Sequence, residues 1–71
     1  MADLSHPDYE LLERAITHGR RISVFRRGTE FLVIPIAIDA VLGREVIRSR
    51  HPTTGDHLSL FVDEIDGFEV I

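Results

Sequence analysis

The chain has 71 residues, of which 44% are hydrophobic and 28% charged, with a net charge of −4; this balance is that of one small globular domain over residues 1–71 and favours neither a disordered nor a membrane class. It contains no cysteine, which excludes disulfide frameworks, thiolate-ligated metals and thiol catalysis. A domain this short buries only about 60% of its unfolded surface, so assembly into a homo-oligomer would help it.

The charge is segregated. Residues 1–13 sum to −4, residues 14–50 to +5 with all eight arginines, and residues 51–71 to −5; there is no lysine. Arginine-only basic usage points to a GC-rich genome rather than to selection for guanidinium chemistry. No leader is expected, because Asp3, His6, Pro7 and Asp8 stand where basic and apolar segments would. The longest apolar run, cut by Pro35 and Asp39, falls short of the roughly 20 residues of a spanning helix. The expected setting is the cytoplasm, with no membrane partner.

Ser5-His6-Pro7-Asp8 sets an acid three residues after a capping hydroxyl, with proline in the first turn, and predicts a helix over 6–18. Leu11, Leu12, Ala15 and Ile16, with Tyr9 beside them, form its apolar stripe, and Gly19 is the expected stop. Residues 20–27 alternate, with Ile22 and Val24 on one face, and predict a first strand. Arg27-Gly28-Thr29 is a tight turn.

Glu30 to Ile38 is the densest apolar stretch. Phe31, Val33 and Ala37 fall on one side and Leu32, Ile34, Ile36 and Ile38 on the other, so the second strand is expected to be covered on both faces. Pro35 predicts a bulge or bend. A connection is expected over Asp39–Gly43 and a third strand over 44–51, with Arg44, Val46, Arg48 and Arg50 on one face. His51 to Asp56 is a loop by composition. A fourth strand (57–63), a turn at Asp63–Gly67 and a fifth strand (67–71) complete the chain. The fold class is therefore α+β: an N-terminal helix followed by a five-stranded antiparallel small β-barrel.

The helix ending in Gly19, the arginine-rich first strand, Arg27-Gly28, the apolar residues before Pro35, Gly43 and the late Val62-Asp63-Glu64-Ile65 segment together resemble the WYL-type domains over about residues 9–71. Glu45-Val46-Ile47 stands where that family carries Trp-Tyr-Leu, and Phe61 and Glu64 stand where it places arginines near the fourth strand. The resemblance implies an Sm-like, SH3-like barrel. It also implies the non-catalytic, regulatory role that such ligand-sensing and nucleic-acid-binding modules have in bacterial regulators.

The candidate contact set for nucleic acid or a phosphate-bearing ligand is Arg21, Arg27, Arg44, Arg48 and Arg50. Guanidinium forks at a period of two could hold successive phosphates, with Phe25 or Phe61 stacking a base. The competing reading pairs these arginines with the acids of the later strands. His51, Asp56 and His57 flank one loop, but their spacing matches no metal-ligand motif and no metal is expected. Asp63, Glu64 and Asp66 read as a solvated turn. No nucleophile triad, phosphate loop or nucleotide fingerprint is present, so neither catalytic residues nor a cofactor are expected. A protein-interaction or self-assembling subunit that binds no nucleic acid is the alternative, resting on Phe61, Val41, Leu42, Ile71 and the free edge of the last strand.

Overall fold

The computed structural model describes residues 4–71; Asp3, used in reading the N-terminal segment, lies outside them. The elements are α1 (His6–His18), β1 (Ile22–Arg26), β2 (Thr29–Val41), β3 (Arg44–Arg50), β4 (His57–Phe61), a 3₁₀ turn (Val62–Glu64) and β5 (Gly67–Val70). No helix is long and apolar enough to cross a membrane.

The start of α1 is fixed by a capping box. Ser5 Oγ accepts from the Asp8 N–H at 3.3 Å, and the Asp8 carboxylate accepts from the Ser5 N–H at 3.2 Å, satisfying two otherwise orphaned donors. Gly19 ends the helix at φ 63°, in the left-handed region that glycine enters without steric cost. Leu12 and Ala15 are buried and Tyr9 packs beside them. Leu11, expected in the stripe, is instead 44% exposed, because a step of about 100° from Leu12 turns it off the packed face.

The strands form one antiparallel sheet in the order β4-β3-β2-β1-β5, open between β4 and β5. Two loops, Arg27-Gly28 and Leu42-Gly43, set its first two hairpins. Both central residues of each have positive φ (50° and 78°; 53° and 78°), the signature of a type I′ connection, whose twist matches that of the strands it joins. Two residues therefore suffice. The connection expected over Asp39–Gly43 shrinks accordingly, and β2 runs on through Asp39, Ala40 and Val41, paired with Val46, Glu45 and Arg44. The fourth strand likewise stops at Phe61, two residues early, where the 3₁₀ turn begins.

β2 is shared between two ladders. Residues 29–33 pair with β1 and residues 34–41 with β3. The register slips between Pro35 and Ala37, a bulge that exchanges the two faces of the strand. Ile38 thereby joins Phe31 and Val33 on the core side, opposite Ile47, rather than lying with Leu32 and Ile36. Pro35 lies beyond the last β1 pair, Ile22↔Val33, so its missing N–H removes no bond of that ladder.

The core gathers Leu12 and Ala15 of α1, Ile22, Val24, Val33, Ile47, Leu60, Val62 and Ile65. The expected second cover of β2 is incomplete among the described residues: Leu32 and Ile36 are each 40% exposed. α1 lies on the inner side, and among the described residues the outer side is covered only in part.

Candidate functional site

β3 carries Arg44, Val46, Arg48 and Arg50 on its outward face, as their spacing requires. Arg44 donates from Nε and Nη2 to the two carboxylate oxygens of Asp63 at 2.9 and 2.7 Å, and from Nη2 to Glu64 at 3.3 Å. Its guanidinium also lies 4.0 Å from the centroid of the Phe61 ring. Arg48 donates from Nε to Asp39 at 2.8 Å. Val46, between the two, is fully buried, with Phe61 as its cross-strand partner.

These contacts set the local electrostatics. The Arg44 fork holds the Asp63 carboxyl below its ordinary value and raises the Arg44 guanidinium in return. Asp39 is also lowered, first by the Ala40 N–H it accepts from at 2.8 Å and then by Arg48. Arg44 and Arg48 are thus already matched to acids, and the Phe61 face expected to stack a base carries the Arg44 guanidinium.

The other expected contact residues are scattered. Arg50 ends β3 opposite His57, Arg27 sits in the first hairpin loop, and Arg21 precedes β1, accepting a backbone bond from Ile71 at 3.0 Å. Arg27 uses its main-chain N–H, bonded to Asp66 at 3.1 Å. Among the described residues no acid lies within ion-pair distance of the Arg21, Arg27 or Arg50 side chains. The nearby Arg26 stacks 4.9 Å from the Phe31 ring and reaches Glu64 only at 4.0 Å. With Arg27, Thr29, Phe31 and Glu64 it lines a cavity of about 340 Å³ at the end of the hairpin.

The His51–His57 loop is closed on itself. His51 Nδ1 accepts from the N–H groups of Thr53 and Thr54, both at 3.2 Å, which fixes the imidazole as a loop brace. Among the described residues no group of three or more His, Asp or Glu side chains is placed to hold a metal ion. Asp63, Glu64 and Asp66 are tied to Arg44 and to the first hairpin. One feature escaped the reading of the sequence: the edge of β2 over residues 29–33, which β3 does not cover. Its signal is Pro52, two residues past the end of the third strand.

In comparisons with known proteins, the chain matches no family model, and no curated protein matches it.

Proposed function

We propose that this chain is a non-catalytic protein-interaction module built as a small barrel of the Sm-like, SH3-like kind. The observation that carries the reading is the internal matching of the arginine strand: Arg44 forks onto Asp63 and Arg48 bonds to Asp39. A face that binds polyanions keeps its guanidinium groups available, whereas here two of the three on β3 are neutralised. What stays uncovered is apolar. Leu32 and Ile36 on β2, Leu42 in the second loop and Ile71 at the C-terminus are exposed, and open strand edges offer main-chain bonds to another chain.

A partly open barrel, with β4 and β5 not paired to each other, is the form supported by β2 passing from one ladder to the other at the Pro35 bulge and by the 3₁₀ turn joining β4 to β5. A second reading, contact with nucleic acid or a phosphate-bearing ligand, is favoured by Arg21, Arg27 and Arg50, whose side chains have no acid in ion-pair range among the described residues. The resemblance to WYL-type domains points to a regulatory setting for either.

Sedimentation of the protein, alone and with short single-stranded RNA or DNA at two salt concentrations, separates them. The protein-interaction reading expects association that persists or strengthens with salt, with no oligonucleotide bound. Oligonucleotide binding that weakens steeply with salt, and is lost in Arg27→Ala/Arg50→Ala, would replace it with the second.

A further inference from the structure

Glu30 and Leu32 turn their main-chain groups away from β1. On the far side of β1, the Arg21 and Phe25 carbonyls accept from Ile71 and Asp66 at 3.0 and 2.7 Å. Ile22, Val24 and Arg26 therefore bond toward β2, where Val33, Phe31 and Thr29 face them. Antiparallel alternation then leaves the N–H and C=O of Glu30 and Leu32 directed to the opposite side.

β3 does not reach them. Its register, Ile34↔Arg50 and Pro35↔Ser49, continued by two residues would set Pro52 opposite Leu32, and proline has no N–H to give. The chain leaves the sheet at His51, whose N–H bonds to the Asp56 carbonyl at 2.8 Å while its ring braces Thr53 and Thr54. Where β3 would have continued there is a groove of about 260 Å³, lined by Phe31, Leu32, Val33, His51, Pro52 and Leu58.

We propose that this groove binds an extended peptide of another protein, added antiparallel to β2 in line with β3, with the order apolar–apolar–basic. The main-chain groups of Glu30 and Leu32 are two residues apart, the repeat that an extended backbone satisfies. The first peptide residue lies beside the exposed Leu32, and the second points inward beside Phe31 and Leu58. The third meets Glu30, whose carboxylate accepts from the Ser23 hydroxyl and has no cation in ion-pair range among the described residues. A folded second copy does not supply the segment: Val24-Phe25-Arg26 and Val46-Ile47-Arg48 are held inside the sheet. This inference rests on the protein-interaction reading and gives it a partner chemistry.

The test uses the full chain and a capped pentapeptide containing Val-Leu-Arg. At saturating peptide, exchange of the Glu30 and Leu32 amide protons slows about tenfold or more, and N-methylation of the peptide valine, which faces Leu32, abolishes binding. Glu30→Lys weakens the Val-Leu-Arg peptide about threefold and favours a Val-Leu-Glu peptide by a similar factor. The Ile47 and Leu60 resonances report that this variant is folded. Equal binding of the N-methylated peptide, unchanged exchange at Glu30 and Leu32, or no binding at millimolar peptide each overturns the proposal. Self-association with protection confined to the β4 or β5 edge would overturn the groove while leaving the protein-interaction reading in place.

Discussion

Arg44 and Asp63 meet fork to fork, two nitrogens on two oxygens at 2.9 and 2.7 Å, while the same guanidinium lies over Phe61. One side chain thus links β3, the end of β4 and the 3₁₀ turn. Arg44→Ala removes the ion pair and the ring contact together, whereas Asp63→Asn removes the charge and one acceptor of the fork but leaves the guanidinium over Phe61. The alanine variant is expected to unfold at the lower urea concentration. Arg44→Lys should fall between them, because an ammonium cannot form the fork. Equal urea midpoints for Arg44→Ala and Asp63→Asn would assign the whole effect to the ion-paired fork and none of it to the Phe61 contact.

The same pairs give the stability a defined acid limb. Asp39 and Asp63 are both held below the ordinary carboxylate value of 3.8. A carboxyl with a lowered value in the folded state binds fewer protons there than in the unfolded chain. Its contribution is complete above that ordinary value and is lost as the pH falls through the lowered one. Urea midpoints measured downward from pH 6 should therefore fall below about pH 4. Asp39→Asn/Asp63→Asn should show a shallower fall, and at high salt the difference between the two proteins should shrink, since both pairs are half exposed.

The elements that a short residue pattern controls were readable. The Ser5–Asp8 capping box, the Gly19 stop and the Arg27-Gly28 turn each depend on neighbours within a few residues, and the structure has all three. The faces of β2 were not readable, because the bulge after Pro35 moves Ile38 to the core side; proline signals an irregularity but not the residue at which the register slips. The partners of Arg44 and Arg48 were readable only as a class. The −5 segment supplies acids for the arginines, but the choice of Asp63 depends on the 3₁₀ turn, and Asp39 reaches Arg48 only because β2 runs on through residues that read as a connection. The open β2 edge needs the β3 register before Pro52 acquires a meaning.

Leu42 is held at φ 53° with its side chain 97% exposed. A left-handed conformation costs a branched residue on the order of 1 kcal/mol, and an exposed leucine recovers none of it by burial. Asparagine tolerates this conformation and precedes glycine in the preferred two-residue loops. Leu42→Asn should therefore stabilise the fold by about 0.5–1 kcal/mol, read as a higher urea midpoint at unchanged slope. A loss of stability would mean that Leu42 is covered in solution by a partner copy, and sedimentation of the variant would then show weakened association.

Ser49 is 1% exposed, and its Oγ finds no hydrogen-bond partner among the described residues. It faces Pro35 on one side and Leu58 on the other, neither of which offers a side-chain donor or acceptor. A buried hydroxyl in that position has lost water without replacement, a penalty of about 1–3 kcal/mol. Ser49→Ala removes the orphan group and leaves a void smaller than a methyl group, so it should stabilise the fold by about 1 kcal/mol. Ser49→Thr keeps the hydroxyl and adds a methyl where Pro35 already packs, and should lower stability by crowding. A destabilised alanine variant would identify a bound water on Ser49 Oγ as part of the fold.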